Sequence, residues 1–290
     1  MSAAKQIRAL ALRGAALSCA AVGAAALWQG LRIQTYSLPT ALLNRPIRLS
    51  LLSDLHSGFY GEHQVRLLAA IGKQAPDCIC LTGDIVDDKR SWDGALQLLS
   101  VIGKAFPCFY VSGNHEWRSG DIAAIKQRIR DCSITVLEGS SQILMLHGQR
   151  LKLCGADDPD IGKNIWTSQL KACGARSAFA PFTVFLTHRP EYAPLYQQYP
   201  FDLILAGHAH GGQVRLPGVV NGLWAPGQGW LPAYAGGLYS LEAAGPRPST
   251  LIVSRGLCRN LLPRVFNRPE LVIVDLLPAA YSEENSKKIL

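Results

Sequence analysis

The chain has 290 residues, 48% of them apolar and 17% charged, with a net charge of +8. That length suits one large domain or two small ones around a sizeable core, and the composition excludes a disordered chain. The basic excess favours anionic partners; with no zinc-finger spacing, RNA-binding aromatic motif or long Lys/Arg block, nucleic acid is not expected among them, and the densest cationic group (Arg247, Arg255, Arg259, Arg264, Arg268) reads as a solvated face.

The first element is an apolar run from Gly14 to Leu31, with Lys5, Arg8 and Arg13 ahead of it and Trp28 near its end. Eighteen residues just span a bilayer as a helix, so a signal-anchor is expected. A cleaved signal peptide, a lipoprotein signal at Cys19 and a buried soluble helix are the alternatives. Arg32, Arg45 and Arg48 follow the run, so flanking charge does not fix its orientation. Residues 1–44 are assigned to this segment and a linker, and residues 45–290 to one catalytic domain.

From residue 47 strands and helices alternate. Strands are expected at 47–53, 77–81 and 107–112, and helices at 62–74 (Val65, Leu67, Leu68 and Ile71 inward), 92–104 and 120–131. This is the rhythm of a parallel sheet with helices outside it. Short strands at 134–137, 142–146 and 150–154 follow, with a hairpin turn at 147–149. Strands at 182–187 and 202–206 flank a short helix at 190–197. A Gly/Pro/Trp-rich stretch, 216–236, precedes strands near 238–242, 250–254 and 271–276. One α/β domain with two packed sheets fits this order. The eight cysteines form no CxxC pair, and Cys78, Cys80, Cys108 and Cys154 lie in apolar runs, so they read as reduced core residues.

Five apolar strands end in polar residues of one chemical kind. The first ends in Asp54-Leu55-His56, the second in Gly83-Asp84, and the third in Gly113-Asn114-His115-Glu116. Later strands end in His188 and in Gly207-His208-Ala209-His210. Of the seven histidines only His63 and His147 lie elsewhere. Asp54 and His56 alternate along a strand, so they point the same way. Each residue alone has an ordinary reading as a turn or cap; together they mark the sheet edge where α/β proteins bind ligands. Carboxylate, amide oxygen and imidazole suit Mn²⁺, Fe or Zn²⁺. Seven such groups exceed the needs of one ion and match a pair about 3.5–4 Å apart, bridged by a carboxylate and a hydroxide. Asp157 and Asp158 are not assigned as ligands, because they would repel an anionic partner. Trp224, Trp230 and Tyr234, just beyond the last ligand, are expected either to wall a substrate cleft or to pack as a surface loop.

The series D-x-H, G-D, G-N-H-E, H and G-H-x-H resembles the calcineurin-like metallophosphoesterases. The wider stretches G-H-A-H-G-G-Q, Y-A-G-G-L and S-R-G-L resemble its bacterial membrane-associated YkuE/YaeI type, and are similar to pyrophosphohydrolases that cleave UDP-2,3-diacylglucosamine. The resemblance covers residues 45–277. It implies a four-layer αββα sandwich of two mixed sheets, here preceded by the membrane helix. It implies two divalent ions, Mn²⁺ first: Asp54, His56 and His210 on one, Asn114, His188 and His208 on the other, and Asp84 bridging. It makes His115 the catalytic acid or transition-state stabiliser. The expected activity is metal-dependent hydrolysis of a phosphodiester or pyrophosphate, with UDP-2,3-diacylglucosamine of lipid A synthesis as the specific candidate. An exported broad-specificity phosphodiesterase is the alternative, and a non-catalytic scaffold is disfavoured by the complete ligand set. The expected setting is the bacterial inner membrane, single-pass or peripheral, with the cytoplasmic face preferred to the periplasmic one and a phosphorylated, lipid-linked substrate as partner.

Overall fold

The computed structural model describes residues 18–175, 181–242, 248–259 and 264–279. Two six-stranded mixed sheets stack face to face. In the first, β1 (Arg32–Thr40), β14 (Glu270–Pro278), β2 (Ile47–Leu52), β3 (Cys78–Thr82), β4 (Cys108–Val111) and β5 (Thr135–Val136) are neighbours in that order. In the second the order is β12 (Gly237–Leu241), β13 (Ser249–Val253), β9 (Leu203–Ala206), β8 (Phe182–Leu186), β7 (Gln149–Gly155) and β6 (Ser141–Leu146).

The central strands are buried on both faces. This explains their unbroken apolar runs, such as CICLT in β3 and FTVFL in β8. Leu49, Leu51, Cys80 and Val111 of the first sheet pack against Leu153, Val184 and Leu205 of the second. Helices α2 (Val65–Gln74), α3 (Asp93–Ala105) and α5 (Ile122–Asp131) cover the outer face of the first sheet through Leu67, Leu98 and Ile129. Helices α6 (Lys163–Cys173) and α7 (Ala193–Tyr196) cover the second through Trp166, Leu170 and Tyr196. The expected two mixed sheets with flanking helices are therefore present, in four layers.

Strands β2, β3 and β4 run parallel, as do β7, β8 and β9. Their C-terminal ends therefore deliver the loops that follow them to common edges.

Several sequence expectations need correction. A strand precedes residue 45: β1 pairs in parallel with the whole of β14, and Tyr36 and Leu38 pack on the inter-sheet core. Pro39 is tolerated there because β1 is an edge strand. Helix α6 was not expected, although Trp166, Leu170 and Cys173 bury one helical face. Val65 does not point inward and is 58% exposed, because left-handed His63 and Gln64 interrupt the helix and reset its phase. The cationic group is not one solvated face. Arg264 is fully buried, and Arg268 donates to the Gly30 and Leu31 carbonyls; Arg247 lies outside the described residues.

The apolar N-terminal run also differs. Residues 18–26 are helical, here α1, and the helix stops short of Leu31. Beyond it Phe266 N donates to Ala26 O, Gln29 donates to Arg264 O, and Leu31 packs on the core under the first sheet's outer face. The domain thus captures the end of the run. No helix among the described residues is long and apolar enough to cross a membrane; residues 1–17 lie outside them.

Candidate metal centre

Asp54 and His56 follow β2, Asp84 follows β3, Asn114 opens the short helix α4 (Asn114–Arg118) after β4, His188 follows β8, and His208 and His210 follow β9. Asp54, His56, Asp84, His208 and His210 all adopt left-handed φ, between 47° and 66°. Asp and His are among the few non-glycine residues that occur there, at a cost of about 1–2 kcal/mol each. Strain concentrated this way is typical of functional loops. The loops support one another: Asp54 N donates to Gly83 O, His56 N to Asp84 O, and His208 N to the Asp54 carboxylate at 3.1 Å. Gly207 is required at this crossing, since a Cβ there would lie 2.7 Å from Asp54 Oδ2 and overlap Ser53.

Asp84 Oδ2 is the hub. His188 Nε2 lies 3.2 Å from it, His56 Nε2 3.7 Å and His115 Nε2 4.0 Å. On one side His210 Nε2 faces Asp54 Oδ1 at 3.7 Å and stacks its ring on His56. On the other His208 Nδ1 lies 3.2 Å from His188 Nε2 and 2.9 Å from the Asn114 amide. All seven side chains named as ligands by the sequence are brought together, with Asp84 between two groups of three.

The donor chemistry fits divalent cations. His188 Nδ1 donates to Thr82 O at 2.7 Å, so Nε2, which faces Asp84 and His208, is the ring atom that can ligate an ion once it gives up its proton. The Asn114 amide has two orientations. With nitrogen inward it donates to His208 Nδ1 while its oxygen accepts from Arg118 Nη1 at 3.1 Å; with oxygen inward it adds another lone pair to the same convergence point. Burial and the neighbouring His188 hold the His208 pKa down at about 2, and burial with His56 lowers that of His210, so both favour the neutral, ligating form. Burial opposes charge on Asp84, but His188 outweighs it and keeps the carboxyl well below its usual range. The groups Asp84–His188–His208 and His56–His210–Cys258 each have metal-binding spacing.

Three residues of the site escaped the sequence reading, and a fourth, Glu116, stood in the G-N-H-E stretch without a role. Asp87 Oδ2 lies 3.2 Å from His56 Nδ1, and Asp88 Oδ1 lies 2.8 Å from His115 Nδ1, so two carboxylates orient two imidazoles. Their signal was only the acidic pair closely following Asp84. Glu116 is fully buried and accepts from the backbone N–H groups of Asp84, Ile85, Val86 and Gly113, locking the loops after β3 and β4 together. Cys258 Sγ lies 3.4 Å from His210 Nδ1, and burial pushes its pKa up to about 12, so it stands there as a thiol.

The other polar candidates resolve differently. Lys126 holds Asp157 at 2.8 Å, and Arg189 grips Asp158 through two bonds, so both carboxylates belong to structural ion pairs. Trp224 and Trp230 pair across a small hairpin of β10 (Trp224–Ala225) and β11 (Gly229–Trp230). It is tied to the ligand loop by Leu223 N donating to Gly212 O, and Trp230 is 72% exposed. Tyr234 instead packs against Tyr239, and its backbone is bonded to Gln228.

A family model for calcineurin-like phosphoesterases matches residues 47–212. The phosphodiesterase YaeI of Escherichia coli is 30% identical over 238 residues, covering 80% of this chain and 83% of that protein. The metallophosphoesterase YkuE of Bacillus subtilis is 28% identical over 231 residues, 77% of each chain. A metallophosphoesterase of Aquifex aeolicus is 26% identical over 257 residues, 85% of this chain and 92% of the relative. With its loops converging on a hub carboxylate, the chain belongs to the calcineurin-like phosphoesterases and is a metal-dependent hydrolase of phosphoester bonds.

Proposed function

We propose that the chain hydrolyses a phosphodiester or pyrophosphate in an amphiphilic substrate, with two Mn²⁺ ions, at the cytoplasmic face of a bacterial inner membrane, and that UDP-2,3-diacylglucosamine is the substrate to test first. The observation that carries the chemistry is the hub: Asp84 Oδ2 lies within 4.0 Å of three imidazoles and joins two groups of three ligand side chains. When bound, divalent ions supply Lewis-acid stabilisation of phosphoryl oxygens and acidify water.

The chain's own contribution is proton placement and orientation. The His115 side chain is 26% exposed, whereas those of His56, His188, His208 and His210 are at most 10% exposed. It is the imidazole of the centre that solvent reaches most. With Asp88 accepting from Nδ1, Nε2 is the ring atom left to exchange a proton with a leaving oxygen. Asp87 fixes the His56 ring in the same way.

The amphiphilic substrate is supported by exposed Trp224, Trp230 and Leu231 next to the ligand loop and by exposed Val22, Leu27 and Trp28 at the N-terminal side. The similarity to the phosphodiesterase YaeI supports the bond type.

The test uses detergent-purified full chain, Mn²⁺ and UDP-2,3-diacylglucosamine, with products resolved by mass. UMP and 2,3-diacylglucosamine 1-phosphate are expected. No cleavage, beside robust hydrolysis of an aryl phosphodiester, would remove this substrate and favour the exported, broad-specificity alternative.

A further inference from the structure

A second polar concavity lies apart from the ligand side chains. It has a volume of about 480 Å³, and its lining includes Arg32, Arg215, Arg255, Leu216, Val219 and Phe266. Arg32 opens β1, directly after the apolar N-terminal run. Arg215 follows the ligand loop, and Arg255 follows β13.

The groove carries an excess of positive charge. Arg215 is only 8% exposed, yet its partners are the Gly211 carbonyl and the Asn221 amide oxygen. Arg32 bonds the neutral Gln34 side chain. Among the described residues neither has a carboxylate within 4.0 Å. Arg255 lies 3.4 Å from the fully buried Glu270, and its Nε makes no hydrogen bond. Three guanidinium groups thus face one carboxylate, leaving two charges uncompensated where one guanidinium is nine-tenths buried. A buried cation without an anion is costly, and arginine forks match phosphoryl oxygens in pairs. Burial and the neighbouring Arg255 lower the Arg215 pKa to about 10, in line with this crowding.

The rim is apolar. Pro217 and Gly218, the latter at φ 78°, form a tight turn closed by Val220 N donating to Leu216 O at 2.8 Å. The turn presents Val219, 81% exposed, beside exposed Leu216. Arg215 N donates to Val265 O, which fixes the turn's base to the domain. A basic floor with an apolar lip suits the phosphate of a lipid headgroup.

We propose that this groove is a second, non-catalytic site that binds a phosphoryl dianion presented by a lipid. The test is calorimetric titration of the full chain in detergent with dihexanoyl phosphatidic acid, dihexanoyl phosphatidylcholine and inorganic phosphate. Phosphatidic acid is expected to bind more tightly than phosphatidylcholine. Arg32→Glu should weaken phosphatidic acid by about fivefold or more, with aryl phosphodiester hydrolysis unchanged, and the uncharged Val219→Ser should weaken the lipid but not inorganic phosphate. Arg255→Gln is a second charge variant, read in the same way where hydrolysis shows it folded. Phosphatidic acid binding that neither arginine variant alters would overturn the site. Binding of inorganic phosphate alone, lost in Arg32→Glu, would overturn the lipid source and leave a soluble phosphomonoester as ligand.

Discussion

His188 Nε2 lies 3.2 Å from Asp84 Oδ2, and the opposite ring nitrogen of His188 donates to Thr82 O at 2.7 Å. Asp84 follows a strand of the first sheet and His188 a strand of the second, so this contact joins the two sheets at the metal-binding edge. Asp84→Asn keeps the shape but removes the charge that serves both ligand groups. Metal content, measured by elemental analysis after dialysis, should fall, and turnover should drop to background; Asp54→Ala should behave alike. Full metal content with wild-type turnover in Asp84→Asn would refute the hub role.

His115 is the most exposed imidazole of the centre, with Asp88 at 2.8 Å from Nδ1. His115→Ala should keep the metals and lower kcat by about 10²–10⁴, the usual worth of a placed proton donor. Asp88→Asn should leave the ring in place but free its orientation, lowering kcat by about 10–100-fold, the usual range for an outer partner. An aryl substrate whose leaving group needs no proton should narrow both losses. Equal losses on good and poor leaving groups would assign His115 to the phosphoryl oxygens instead.

The ligands were legible because each one ends an apolar run. A buried strand that stops at Asp54, Asp84 or His188 announces its own edge, and parallel order carries those edges together. The supporting residues were not legible for a physical reason. Asp87 and Asp88 act on imidazoles from other loops, and Glu116 acts on backbone N–H groups. Such pairings have no sequence period. Cys258 reaches His210 from a loop 48 positions away in sequence. Strand β1 was hidden differently: its half-buried alternation follows directly on a strongly apolar run, which drew the whole region into one reading.

Glu116 gives a stability prediction. Oε1 accepts from Ile85 N at 2.7 Å and Val86 N at 3.1 Å; Oε2 accepts from Asp84 N and Gly113 N, both at 2.9 Å. Burial and the nearby Asp84 push its pKa up to about 7, so it is poised between forms, but the site offers it only donors. In Glu116→Gln either orientation turns an NH₂ toward two backbone N–H groups. The cost should be about 1–3 kcal/mol, that of leaving buried donors unmatched. Denaturant unfolding of the metal-free chain reads it directly, and unchanged stability would mean that the loops do not depend on this clamp.

The histidines set the pH profile of the metal-free chain. Burial and His188 lower the His208 pKa to about 2, and burial lowers that of His210. Below an unfolded value of about 6.5 the unfolded chain therefore binds more protons, and stability falls as pH drops. His188 has the opposite sign: burial opposes its charge, but Asp84 outweighs this and raises its pKa to about 10. Its contribution is complete below about 6.5 and is lost as pH rises toward 10. Each proton of difference changes stability by about 1.4 kcal/mol per pH unit. Burial opposes charge on His56, but Asp87 and Asp84 outweigh it and raise its pKa, so it adds to the alkaline limb, while Glu116 at about 7 offsets part of the acid limb. Unfolding midpoints of the chelator-treated chain should thus fall as pH rises from about 6.5 toward 10. Loading with Mn²⁺ should flatten the alkaline limb, because ligation requires neutral His188 and removes its proton from the balance. A midpoint that climbs steadily from pH 5 to pH 9 without metal would show that Asp84 does not hold His188 charged.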